Sequence, residues 1–318
     1  MTSHPDWRAK KILITGGAGF LGSHLAEELV AQGADVTVLD NFASGAADHL
    51  APVADRLQFI QGDVLSMNWM EFLAQNEFEF FFHLVGNAYV PASVENPAMD
   101  FALNLRLAFD ILECLRKLSW PGRFVFPSSA AVYGNPEKLP ICENDRTLPI
   151  SPYGVSKLAV ERYLSVYHEL YGLNAASLRL FSIYGHRQRK LAVYDLITKI
   201  MADPQDVHVY GNGGQMRDFL FIKDAVRAMT AVAWSGKFTG EVYNTASGNE
   251  CTILDLIQQI GRVLKVNPRV TFSGSVRPGE PEKWSVDIGR LRDMGFSPSC
   301  SLQEGLAETI AWAKSLYT

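Results

Sequence analysis

Apolar residues in this chain fall into two kinds of pattern. Six short unbroken runs stand out: KILIT (11–15), DVTVL (35–39), RLQFI (56–60), EFFFHL (79–84), RFVFPSS (123–129) and AASLRLF (175–181). Unbroken runs of this length suit strands buried on both faces. Between them, LGSHLAEELVAQG (21–33), the stretch from about 97 to 118 and the stretch from Tyr153 repeat their apolar residues every three or four positions, as amphipathic helices do. Strands alternating with helices predict an α/β fold, a doubly wound parallel sheet with helices on both faces. After residue 181 the pattern loosens. Helices are expected near 191–202, from Lys223, over 252–266 and at the carboxyl end, with a strand at EVYNT (241–245) and loops at 209–219 and 276–281. The expected division is a first domain over 1–180 and a smaller α/β lobe, mainly 181–318, with some segments returning to the first.

At 318 residues the chain is long enough for one large domain or two. A net charge of −5 argues against a nucleic-acid partner held by phosphate neutralisation. Cys114, Cys142, Cys251 and Cys300 are far apart and form no Cys/His cluster, so reduced thiols and no metal site are expected. The first residues, MTSHPDWRAKK, lack the apolar core of a signal peptide, and no apolar run is long enough to span a bilayer. These features predict a cytoplasmic protein with no membrane partner.

The first chemical motif is TGGAGFLG, in which Gly16, Gly19 and Gly22 keep a G-x-x-G-x-x-G spacing between a strand and a helix. Such a turn lets backbone N–H groups approach a pyrophosphate at the helix N-terminus. Asp40 ends the next strand, about twenty residues on, where a carboxylate accepts from a ribose 2′-hydroxyl and repels a 2′-phosphate. NAD is therefore expected rather than NADP. Asp63 follows the third strand and suits either an adenine contact or a turn. His83, inside an apolar run, reads as a packed core residue. Ser128 and Ser129 close a strand at the sheet edge where α/β folds bind ligands. Tyr153 and Lys157 are four residues apart, so a helix puts them on one face. An ammonium there is expected to draw the phenol pKa down toward working pH. Arg217 and Arg277 lie in glycine-rich loops, where two guanidinium groups could share a diphosphate.

Taken together, these segments resemble the extended short-chain dehydrogenase/reductase family, in its nucleotide-sugar epimerase/dehydratase branch. The resemblance rests on TGGAGFLG, LDN (39–41), GDV (62–64), HL (83–84), SVENP (93–97), SSAAVYG (128–134), YGVSK (153–157), LRLFSIYG (178–185), GNGGQMRDF (211–219) and RPGE (277–280). It implies a Rossmann-type NAD-binding domain followed by a nucleotide-sugar lobe. It implies Ser129, Tyr153 and Lys157 as the catalytic set. The residues implied near the cofactor are Gly16, Gly19, Phe20, Leu21, Gly22, Asp40, Asn41, Phe42, Ser44, Gly45, Asp63, Val64, Leu84, Asn104 and Phe181, together with Tyr153 and Lys157. Substrate contacts are implied for Ser129, Tyr153, Ser182, Arg217, Arg277 and Trp284. Relatives commonly pair as homodimers through the helices corresponding to 97–118 and 153–171.

Within that branch, dehydratases and decarboxylases usually carry an acid after the catalytic hydroxyl residue, whereas this chain has Ala130 and Ala131. The motif instead resembles UDP-glucose 4-epimerases, which implies a UDP-hexose or UDP-uronate substrate and a transient 4-keto sugar. Alternatives from the same family are an oxidoreductase or a dehydratase. A non-catalytic dinucleotide-binding regulator is a third. Ser182 stands where the family has Asn, His186 where it has Pro, Leu107 where it has Gly and Ala88 where the glucose-type enzymes have Lys. Trp284 replaces a size-limiting Tyr, which implies a tight sugar pocket that excludes N-acetyl groups.

Overall fold

The computed structural model describes residues 5–274 and 282–317. Its first half alternates β1 (Lys11–Thr15), α1 (Phe20–Ala31), β2 (Asp35–Asp40), β3 (Gln58–Gln61), α2 (Trp69–Gln75) and β4 (Phe80–His83). There follow α3 (Val90–Glu95), α4 (Pro97–Asp100), α5 (Leu107–Lys117), β5 (Arg123–Ser129), α6 (Pro152–Tyr171) and β6 (Ala175–Leu180). The second half adds β7 (Ser182–Tyr184), α7 (Leu191–Ala202), β8 (Val207–Val209), β9 (Met216–Phe221), α8 (Ile222–Ser235) and β10 (Thr239–Thr245). It closes with β11 (Glu250–Thr252), α9 (Ile253–Leu264), β12 (Val270–Phe272), α10 (Gly289–Asp293) and α11 (Leu302–Ser315).

Seven strands form one sheet in the order β10-β6-β5-β4-β1-β2-β3, and every neighbouring pair is parallel. Side chains alternate across it, as strand geometry requires. Ile12, Ile14, Val36, Val38, Phe80 and Phe82 join a core with α1, α7, α8, α9 and α11. Leu13, Leu39, Phe81, Phe124 and Phe126 face the other way, into a core with α2, α5 and α6. Burial on both faces is why these strands read as unbroken apolar runs.

Two expectations change. The stretch 97–118 is not one uniform helix: between α4 and α5, Phe101–Arg106 winds as a π-helix. The stretch 209–219, expected as a loop, contains the start of β9, which pairs with β7 and β11 in a small second sheet. β10, from the second half, lies beside β6 at the edge of the main sheet.

Candidate active site

The glycine turn packs between β1, β4 and α1. Gly16 has φ +73°, and a Cβ there would lie 2.9 Å from the Val85 backbone nitrogen. A Cβ on Gly22 would collide with the Gly16 carbonyl and sit 2.7 Å from the Gly17 Cα. Only glycine allows helix and turn to approach this closely. Gly19 precedes α1 and no side chain caps that helix, so its first-turn N–H groups are left for a ligand. Phe20 and Leu21, in that first turn, are partly buried.

Asp40, at the end of β2, is buried, and its carboxylate accepts from the N–H groups of Ala18 (2.9 Å) and Phe42 (2.7 Å). It thereby ties the glycine turn to the second strand while keeping lone pairs free. Asn41, Phe42, Ser44 and Gly45 follow in the same loop, where Phe42 stacks on Phe59 at 5.0 Å. Asp63 is exposed and accepts from the Leu65 N–H at 3.0 Å, a turn role. Val64 is buried beside it; Leu84 follows β4 and Phe181 follows β6. These positions line the carboxyl edge of the sheet.

At the same edge, β5 ends in Ser129 and α6 begins one residue before Tyr153. The Ser129 hydroxyl lies near enough to act on the Tyr153 phenol, and its oxygen accepts from the Ala131 N–H at 3.2 Å. The Ser151 side chain caps α6 by accepting from the Gly154 N–H. Lys157, one turn on, is buried, with its Nζ 4.4 Å from the Phe126 ring centroid and 5.8 Å from that of Tyr153.

The expected lowering of the Tyr153 pKa does not occur in the protein alone. Burial pushes the phenol up to about 12; the Ser129 hydroxyl opposes that and the Asp100 carboxylate adds to it. Burial also brings Lys157 down to about 8, against the pull of Asp100 and Glu161. Desolvation disfavours both charged forms, and a four-residue spacing carries no information about solvent. His83 is neutral, held down to about 3 by burial and then by Lys157, and its Nδ1 shares a hydrogen bond of 2.9 Å with Thr15. It packs between aromatic rings, as a core residue should.

Toward the second half, Trp284 meets Phe181 edge-on at 5.7 Å, and the Arg217 guanidinium lies over its ring at 5.1 Å. Arg217, on β9, donates to the carbonyls of Met216 (2.8 Å) and Glu282 (3.2 Å). Ser182 opens β7, partly buried. Arg277 lies outside the described residues. Asn104 is buried in the π-helix; its amide donates to Asp100 (2.7 Å) and to the Asn87 carbonyl (3.1 Å), and its Oδ1 has no partner. A glycine cradle at an uncapped helix start, a buried acid at the end of β2 and an unpartnered amide oxygen beside Lys157 fit a bound dinucleotide.

Sequence reasoning passed over a buried network behind Ser129. Ser128 donates to Glu161, which Arg179 grips at 2.7 Å; Arg179 also reaches the Tyr133 hydroxyl at 2.7 Å. Tyr133 donates to Asn244 on β10 at 2.6 Å. The available signal was the four-residue step from Lys157 to Glu161 on the same helix face.

A family model described as the NAD dependent epimerase/dehydratase family matches residues 12–246. A putative UDP-glucose 4-epimerase of Methanocaldococcus jannaschii is 33% identical over 309 residues, spanning 96% of this chain and 98% of the relative. UDP-N-acetylglucosamine 4-epimerase from Methanobrevibacter ruminantium, solved in complex with UDP-N-acetylmuramic acid, has a TM-score of 0.90 at 31% identity over 97% of this chain and 99% of its own. UDP-glucuronic acid 4-epimerase from Bacillus cereus, solved in complex with UDP-glucuronic acid and NAD, has a TM-score of 0.88 at 31% identity over 96% and 100%. Sheet order, glycine turn and these near-complete matches agree: the chain belongs to the NAD-dependent epimerase/dehydratase family.

Proposed function

We propose that this protein is an NAD-dependent nucleotide-sugar 4-epimerase acting on a UDP-hexose or UDP-uronate. The observation that carries the reading is the partly buried Ser129 hydroxyl acting on the buried Tyr153 phenol, with Lys157 buried one turn on and Ala130 and Ala131 where a dehydratase would keep an acid. Bound NAD⁺ supplies a hydride acceptor that later returns the hydride. Tyr153 takes the proton of the sugar 4-hydroxyl while Ser129 holds that oxygen, leaving a 4-keto sugar. The Lys157 ammonium favours the phenolate that must be present before Tyr153 takes the proton and that forms again once the proton is returned. After the sugar presents its other face, Tyr153 gives the proton back and C4 is inverted. Arg217 and Arg277 grip the diphosphate, which holds the substrate while its sugar turns. Trp284 and Ser182 form the wall against the sugar.

The proposed partner besides substrate is a second copy of the chain. Val155, Tyr163, Val166 and Leu170 form an exposed apolar stripe along α6, with Phe101 exposed on the neighbouring π-helix. Cytoplasmic residence is part of the same proposal; among the described residues no helix is long and apolar enough to cross a membrane.

The test is incubation of the purified protein with UDP-, dTDP-, GDP- and CDP-sugars without added NAD. A C4 epimer of one UDP-sugar is expected, with Tyr153→Phe reducing turnover by about 10²–10⁴-fold while still holding NAD. Stoichiometric consumption of reduced cofactor, a dehydrated product or no product with any sugar would overturn the reading.

A further inference from the structure

We propose that Asp100 is a positioning residue for this reaction: a buried carboxylate that fixes the Asn104 amide and is the counter-charge holding Lys157 protonated opposite Tyr153. The inference rests on the epimerase reading of the site and assigns it a further residue. Asp100 ends α4 at 1% exposure. Its Oδ1 accepts from the amides of Asn104 (2.7 Å) and Asn87 (3.3 Å), and its Oδ2 accepts from the Ser156 hydroxyl (2.9 Å). All three donors are neutral, and among the described ion pairs none includes Asp100. A buried carboxylate without an ion pair is costly unless a positive charge lies near. Lys157 is the residue after Ser156, itself buried, and the Asp100 carboxylate favours its protonated form more than Glu161 does.

The carboxylate also decides which way Asn104 faces. A carboxylate only accepts, so the amide must turn its NH₂ toward Asp100 and its oxygen away. That oxygen is buried and unpartnered, and it points at the space beside Gly86. A Cβ on Gly86 would collide with it and would lie 3.7 Å from Lys157 Nζ. The amide oxygen and the ammonium thus border one small space at the catalytic edge. The π-helix begins at the residue after Asp100, and such widened turns gather at functional sites.

The groups acting on Lys157 come from three elements. α4 contributes Asp100, α6 contributes Glu161 and Tyr153, and β4 contributes His83, which is neutral. Glu161 is already neutralised by Arg179. Asp100 is the carboxylate among them without a cation of its own.

Asp100→Asn removes the charge at nearly constant shape. Without the anion both Lys157 and Tyr153 lose their protons more easily, so both limbs of the pH profile of kcat should move toward acid, by about one pH unit. kcat should fall about tenfold with KM nearly unchanged. Ser156→Ala removes a tether but keeps the charge, and its profile should stay in place. The Lys157 titration, followed by ¹³C NMR of its ε-carbon in the NAD-loaded protein, should move toward acid in Asp100→Asn whether or not the protein epimerises any sugar. That readout separates failure of this inference from failure of the epimerase reading. An unmoved Lys157 titration, or an equal shift in Ser156→Ala, would overturn it. If Asp100→Asn does not fold, Asp100→Ser carries the same expectation, and failure of both to fold would place Asp100 in the folding core and overturn it too.

Discussion

Tyr153 is a weaker acid in its folded surroundings than in water. Burial outweighs the help of Ser129, and Lys157 is itself brought down to about 8 by the same loss of solvent. Spacing along the chain identified these residues and their common helix face. It gave the wrong sign for the phenol, because desolvation depends on what packs around the helix. The chemistry requires Tyr153 ionised and Lys157 protonated; with the phenol up at about 12 and Lys157 down at about 8, that combination grows with pH up to about 8 and is level above it, so kcat/KM should rise along a limb that breaks at about 8. A pH–rate profile checks this, and Lys157→Met should lose most activity at every pH, with no such limb remaining. Asp63 was open to two roles in the sequence, and its Oδ1 accepts from the Leu65 N–H as a turn acid does. Asp100 and Glu161 were missed because an acid on a helix normally reads as a solvated polar position.

The turn from β1 into α1 was fully legible. Its three glycines predict a tight turn, and the contacts at Gly16 and Gly22 are close approaches of backbone to backbone within it. The atoms that a Gly22 Cβ would strike are backbone and cannot rotate aside. Gly22→Ala should therefore weaken NAD binding at least about tenfold, read as cofactor retained after gel filtration, with little effect on the far lobe. Other elements were hidden. The π-helix at Phe101–Arg106 keeps an apolar pattern close to the α-helical one, so periodicity does not separate the two. β7, β8, β11 and β12 have three residues each, too few to show a period. Their pairings come from tertiary contact rather than local pattern.

The six long runs placed the main sheet correctly, and the seventh strand, β10, was recognised as a strand but not as part of that sheet. What binds it there includes the buried chain of Arg179, Glu161, Tyr133 and Asn244, which runs from α6 through β6 to β10. Arg179→Met leaves Glu161 buried and unpaired, and should cost about 3–5 kcal/mol in urea unfolding. The proposed dimer makes a separate expectation. Val155→Asp with Leu170→Glu places charge in the apolar stripe of α6, and sedimentation should then report monomers.

The position of β10 has a consequence for anyone dissecting this chain. Its partner β6 would otherwise be the last strand, with a row of bare amide and carbonyl groups along one side. A fragment stopping near residue 180 would carry that raw border into solution. It should stick to its own kind rather than persist as a tame nucleotide-binding module, and a fragment extended through Thr245 should behave better.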